Sequence, residues 1–400
     1  SSKFQHNNPF TIGVEEEYML CEPQTGHLIN RANEIMANIA DDLKARYSYE
    51  LIQSEIEVNT SVCKTVAEAM EEIIFLRNNT KKLGETLGYR IGISGTHPTA
   101  ICKDQKFVKN DSYKWVADQL NYYARRNVTF ATHVHIAVHD ANCAIHVANS
   151  LRRWIAPLLA LSTNSPFFEG ELTGLRSSRT FQFGVFPRTN IPVRFNDFNE
   201  YEALIKKYLE TKTIEKPRQI WWKIRPHLDY GTLEYRICDV QRSLSRTKML
   251  VALTQALVHS YDYKVKSSKN LEDMNYEILN DAFWKATRFG FDSMITDCFD
   301  GKKLTLKDYV YKMVDTIHLS LSELGNDDVL SELDDIIKKI PVQIKDVLMS
   351  KYDYNNFTGI NENVESSALQ IKSIGIDEQK LSDQLMKVLG IITARAGSKG

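Results

Sequence analysis

The sequence predicts an α+β fold in which a sheet-bearing part, residues 1–242, precedes a helical part, residues 243–400, packed on the same body as one domain. Three observations carry this. Strand-like and helix-like stretches alternate as far as Asp239, and beyond Ser243 almost every window has helical spacing. The 400 residues are 43% hydrophobic and 25% charged, so the chain can bury a core large enough for one big sheet.

In order along the chain, "FTIGVEEEYML" (10–20) alternates in the strand manner, and "EPQTGHLI" reads as a turn leading into another strand. "RANEIMANIADDLKA" has the spacing of a helix and "YELIQSEIEVNTSV" that of a strand. "TVAEAMEEIIFLRNNTKKLGETLG" is a long amphipathic helix stopped by Gly88. "YRIGISGTHP" and "VTFATHVHIAVHD" are further strands, and Ala141 to Leu161 is helical. The Gly- and Ser-rich "STNSPFFEGELTGLRSSRT" is a loop too long to be a mere connection, which usually signals function. "QIWWKIRPH" and "TLEYRICDV" are two strands joined by a turn around Asp229 to Gly231.

Composition excludes several classes. With 50 basic and 51 acidic side chains there is no net field to draw nucleic acid or an anionic membrane surface. No stretch approaches the roughly 18 apolar residues of a membrane span, and "SSKFQHNN" lacks the apolar centre of a signal peptide. Six widely spaced cysteines with no C-x-x-C suit reduced thiols and a cytoplasmic location. The P-loop, Rossmann, nucleophile-elbow and H-E-x-x-H signatures are all missing, so a nucleotide would be bound in some other manner.

Chemistry concentrates in the first 240 residues. Side chains at i and i+2 of a strand share a face, so Glu15 and Glu17 project together while Glu16 points outward as a spare. Glu55 and Glu57 repeat the arrangement, as do Glu234 and Arg236. Paired carboxylates are the hard-oxygen donors that magnesium uses; the plainer alternative is a set of solvated strand faces. His133 and His135 share a face in a zinc-like H-x-H spacing, whereas His139, at the strand end, reads as an ordinary polar residue. Arg176, Arg179, Arg188, Arg225 and Arg236 lie near loops or strand ends, where planar guanidinium suits phosphate or carboxylate. Together these residues describe a site for metal-bridged polyphosphate and a carboxylate substrate.

Six blocks, "TIGVEEEYML", "SEIEVNTSVC", "GISGTHP", "THVHIAV", "NSPFFEG" with "TGL", and "WWKIRPH" with "GTLEYRICD", resemble in order those of the carboxylate-amine ligases of the second glutamate-cysteine ligase group. The resemblance implies a curved, mainly antiparallel sheet funnel ringed by helices, related to the catalytic fold of glutamine synthetase and the guanido kinases. It implies ATP and Mg2+, with Glu15, Glu17, Glu57 and Glu234 as metal ligands and Arg236 on the phosphates. By the same resemblance His133 is expected to face the nucleotide with His135 and Arg179 assisting there, and Arg225 to join His133 and Arg236 in the catalytic set. The implied reaction couples a glutamate-like carboxylate to cysteine or another amine through an acyl phosphate, as in glutathione synthesis. Alternatives are a metal-dependent amide hydrolase using His133 and His135, and a weakly active regulatory or binding member of the family. The expected partners are small molecules, with no nucleic acid and no membrane, and the helical region is open either to packing behind the sheet or to self-association as a homodimer.

Overall fold

A computed structural model describes residues 2–4, 8–267 and 274–338, so the expected helical stretch beyond residue 338 lies outside the described residues. Strand β1, Ile12–Cys21, is the acidic stretch read from the sequence. Helix α1, Ala32–Ala37, and strands β2, Tyr47–Tyr49, and β3, Glu55–Asn59, follow. Helix α2, Val66–Leu87, begins where the Thr65 side chain accepts from the Glu68 N–H, and ends at Gly88, whose φ of 72° suits glycine. Then come β4, Arg90–Gly92, helices α3, Asp111–Leu120, and α4, Tyr122–Arg125, and β5, Ala131–Ala137. Helices α5, Ala141–Leu151, and α6, Ile155–Ser162, lead to a small hairpin of β6, Phe167–Phe168, and β7, Glu171–Leu172. Helices α7, Ser178–Gly184, and α8, Phe198–Glu210, precede β8, Ile224–His227, and β9, Thr232–Asp239. The helical part holds α9, Leu244–Ser267, α10, Tyr276–Phe289, α11, Leu306–Glu323, and α12, Leu330–Lys338.

Seven strands form one sheet in the order β2-β3-β1-β5-β9-β8, with β4 also on β1, and every pair is antiparallel. β1 is shared lengthwise. Ile12 to Glu16 pair with β5, whereas Met19 to Cys21 pair with β4. The sheet therefore splits beside Glu17, and the Ala131 N–H, past the end of the β1–β5 ladder, donates to Glu17 Oε2 at 2.5 Å.

The outer face is apolar. Val14, Val134, Ile136 and Tyr235 join one buried cluster with residues of α5, α6, α9, α11 and α12. Tyr18, Leu20, Ile56 and Val58 form a second with Leu76 of α2 and Ile35 of α1. Helices thus cover one side, and the opposite face carries the polar set.

Four expectations need correction. After Cys21 there is no further strand, only a single bridge from Cys21 to Leu28, because β3 already holds that edge of β1 as far as Met19. The helix expected over 31–45 shrinks to α1 and a 3-10 turn at Lys44–Arg46. The loop at 162–180 contains a hairpin and runs into α7. Within the helical part, Met294–Thr296 and Lys303–Thr305 pair as strands β10 and β11, closing a turn through Gly301 at φ 69°.

Candidate active site

Register decides which side chains meet. Glu17 stands opposite Glu57, Glu15 lies between Asn59 and His133, and Glu234 lies between His135 and Arg225. Four expected ligands and both histidines therefore share the inner face. A bulge in β9 adds one more group. Thr132 pairs with Cys238 but Val134 with Tyr235, so two residues of β9 oppose His133 alone. Strict alternation would bring Cys238 inward; instead it is buried in the apolar cluster, and Asp239 takes the inner side. There Asp239 accepts from the Asn164 N–H (2.8 Å) and from the Ser165 (2.7 Å) and Ser177 (2.9 Å) hydroxyls, fixing both ends of the 162–180 segment.

At the β8–β9 side, charge is compensated. Arg225 holds Glu234 Oε2 at 2.5 Å and donates to the carbonyls of Arg218 and Ile220 at 2.8 Å each. Arg236 contacts Glu234 Oε1, and its own Nε finds no hydrogen-bond partner among the described residues. Burial would raise the Glu234 carboxyl, but the two guanidinium groups outweigh it and hold it far below the usual range. His133 Nδ1 lies 3.0 Å from Glu15 Oε2, and His135 Nε2 lies 3.2 Å from Glu15 Oε1. His135 Nδ1 meets the Thr232 hydroxyl at 2.9 Å. Burial acts to raise Glu15 too, yet His135 and His133 bring it well below its ordinary value.

Toward β3 the balance reverses. Burial and the repulsion of Glu17 push Glu50 up to about 8. Glu57 is raised by burial and by Glu15, Glu50 and Glu17, and its hydrogen bond from Asn59 (3.1 Å) does not offset this. Glu55 is raised by burial and by Glu17, Glu50 and Glu57, which outweigh the lowering by Arg179. Three donor sets have atoms close enough to hold one ion: Glu15, Glu57 and His133; Glu15, His135 and Glu234; and Glu17, Glu50 and Glu57. The last is all oxygen, which fits a hard divalent cation such as Mg2+, and the mutual repulsion of its carboxylates is what such an ion would relieve.

The expected arginines divide. Arg179, Arg225 and Arg236 converge here. The Arg188 guanidinium instead donates to the Gln219 carbonyl and lies near Trp221, and Arg176 packs against Gly290. His139 meets Asp262 at 2.9 Å, away from the acidic face. Glu16 is the clear correction: it is no outward spare but fully buried behind the sheet, held by Arg77 at 2.6 and 2.8 Å and by the Tyr18 hydroxyl at 2.6 Å. Arg77 also donates to the carbonyls of Gln241 (2.7 Å) and Arg242 (2.9 Å), so it ties β1 to the chain leaving β9. Sequence reasoning missed Glu50 because in the expected strand it falls out of phase with Glu55 and Glu57, whereas it directly follows β2 outside any element; it missed Phe183, Phe186 and Trp221 because aromatic residues outside a period give no signal.

Comparison with known proteins identifies the family and the fold. The profile of a family described as "Glutamate-cysteine ligase family 2(GCS2)" matches residues 11–366. A protein of Herpetosiphon aurantiacus named "Putative glutamate--cysteine ligase 2" is 34% identical over 330 residues, covering 82% of this chain and 86% of its own. One of the same name from Solibacter usitatus is 35% identical over 319 residues, covering 79% and 82%. Among solved structures, glutamate–cysteine ligase of Francisella tularensis in complex with AMP superposes with a TM-score of 0.66 at 13% identity, over 98% of this chain and 96% of that one. A bifunctional glutathione synthetase of Pasteurella multocida gives 0.57 at 13% identity, over 96% and 52%. At that identity the two structures speak for the fold alone.

Proposed function

The chain belongs to glutamate-cysteine ligase family 2, whose members are ATP-dependent ligases forming C–N bonds, and from that premise we propose that it joins a glutamate-like γ-carboxylate to an amine through an acyl phosphate. The observation that carries this reading is the convergence, on one sheet face, of carboxylates from β1, β3 and β9 with Arg236 beside them. A carboxylate has no adequate leaving group, so one of its oxygens attacks the γ-phosphorus of ATP and the bond to the ADP oxygen breaks. The amine, as its free base, then attacks the acyl carbon. Phosphate departs with the C–O bond, the nitrogen loses its proton, and the amide remains.

Glu15, Glu17, Glu57 and Glu234, joined by Glu50, would hold Mg2+, which when bound offsets charge on polyphosphate. The chain's own contribution is positional. Arg236, with its unpartnered Nε, faces the anionic groups, and His133 and His135 orient Glu15. We assign Arg225 to holding Glu234, since its donors are engaged there and on the 218–220 backbone. The 162–180 segment, pinned by Asp239, is proposed to exclude water from the acyl phosphate. Shortening it should uncouple ATP hydrolysis from amide formation.

No helix among the described residues is long and apolar enough to cross a membrane. The six cysteines form no disulfide and five are buried, which supports a reducing compartment. The test is ADP release from ATP and Mg2+ with L-glutamate alone, with L-glutamate plus L-cysteine, and with other acid and amine pairs. ADP that appears only when acid and amine are both present supports ligation. Amide cleavage without ATP would replace it with the hydrolase alternative.

A further inference from the structure

One carboxylate of the acidic face belongs to none of the three donor sets. Glu55 is only 3% exposed, yet its side chain makes no hydrogen bond and no ion pair among the described residues. Burial of an ionisable group without a partner is costly, so such a group in a native fold needs an explanation in a ligand. Glu55 lines an open-mouthed cavity of ≈ 100 Å³. Glu17 and Arg236 stand on the same lining, toward the reaction centre, and Arg179 is on it as well. Arg179 donates Nη1 to the Ile237 carbonyl (3.0 Å) and Nη2 to that of Arg236 (3.1 Å). Those bonds fix its plane and use two of the five N–H donors of a guanidinium, and Nη1 also lies 3.7 Å from Asp239 Oδ1, which leaves Nε and the second N–H of each Nη.

The rest of the lining is mixed: Glu50, His133, Tyr113, Asn127 and Thr129 stand on it beside an apolar patch in which Phe183 and Phe186 lie 5.3 Å apart and Trp221 is 6.4 Å from Phe186. A cavity with a buried carboxyl group that makes no hydrogen bond, a fixed cation and an aromatic patch is complementary to a zwitterion with an apolar side chain.

Resting on the ligase reading above, we propose that the amine substrate is an α-amino acid with a bulky apolar side chain, its nitrogen at Glu55 and its carboxylate at Arg179. Glu55 lies two residues from Glu57 on the same strand face, which puts the nitrogen beside the acidic centre where the acyl group would be activated. The side chain then meets Phe183, Phe186 and Trp221. Arg179 in this role serves the substrate rather than the nucleotide. A small amine such as glycine, or cysteine, would leave that wall uncovered.

The experiment compares L-phenylalanine, L-leucine, L-cysteine, glycine and phenethylamine as amines, with ATP, Mg2+ and a panel of acids, reading ADP release. L-Phenylalanine or L-leucine should give the highest kcat/KM. Phenethylamine, which lacks only the carboxylate, should fall on the order of 100-fold because Arg179 is left unmatched. Glu55→Gln, isosteric and checked by thermal unfolding, should raise the amine KM at least about tenfold while the ATP KM stays the same. Phenethylamine equal to L-phenylalanine, or glycine best with the amine KM untouched by Glu55→Gln, overturns the assignment while ligation stands. Calorimetry without nucleotide separates the two readings. L-Phenylalanine binding that Glu55→Gln weakens upholds the pocket even where no ADP is released, and binding by neither protein overturns it.

Discussion

On strand β1 three adjacent carboxylates meet two different solutions. Glu16, on the outer face, is fully buried and neutralised within the protein by Arg77, Tyr18 and Thr247. Glu15 and Glu17, one residue away on the inner face, look onto Glu57, Glu50 and Glu55, and the nearest relief for Glu15 comes from two imidazoles. The outer carboxylate is architectural, and the inner ones are left for something the chain does not itself supply. Adjacent identical residues thus differ in function because a strand turns them to opposite environments.

The largest expected effect breaks the outer solution. Arg77→Met would leave Glu16 buried without its counter-ion and free the carbonyls of Gln241 and Arg242. A loss of about 3–5 kcal/mol is expected, read as a fall in the midpoint of chemical denaturation. The double variant Arg77→Met with Glu16→Gln should recover much of it. If the single variant is as stable as the parent, Glu16 is not held by this pair.

A second buried group sharpens the contrast by pH. His97, 1% exposed, has Nε2 at 2.9 Å from the Gly26 carbonyl, and Nδ1 accepts from the N–H groups of Thr99 (3.2 Å) and Ala100 (2.9 Å). Those bonds require the neutral ring, and burial brings its pKa down from 6.5 to about 4. Between these values the unfolded chain binds the extra proton and the native one does not. Stability from His97 is therefore complete above pH 6.5 and is lost as pH falls toward 4, by about 3 kcal/mol. Denaturant titrations at pH 7 and pH 4.5 should show a drop that is smaller in His97→Gln.

Much of this was legible before any coordinates. The period-2 spacing of β1, β3, β5 and β9 was enough to put Glu15, Glu17, Glu57, His133, His135 and Glu234 on common faces, since alternation is a local property of a strand. What alternation cannot reveal is the partner across the sheet. Arg77 sits on α2, 61 residues from Glu16, so nothing near Glu16 distinguishes a buried ion pair from a solvated spare. The β9 bulge likewise escaped notice, because inserting one unpaired residue leaves no mark in "TLEYRICD". Glu50, just after β2 and out of phase with Glu55 and Glu57, gave no sign of joining them.

The smallest change has the most telling sign. Glu57→Gln keeps the shape of the side chain and removes one of the charges that Glu15, Glu17 and Glu50 face. With divalent ions chelated, the variant should be more stable than the parent by about 1 kcal/mol, whereas substitutions of buried charged groups ordinarily destabilise. Adding Mg2+ should then raise the unfolding temperature of the parent more than that of the variant, since binding to the native state is what confers the gain. ADP release by the variant should fall on the order of 10²–10³-fold. A fold optimised for stability alone would lose by this substitution, so a gain in stability with a loss of activity would identify Glu57 as a residue kept in a crowded place for its chemistry. A variant that is less stable in chelator and equally responsive to Mg2+ would mean that Glu57 is structural, and the inner face would have to be divided differently.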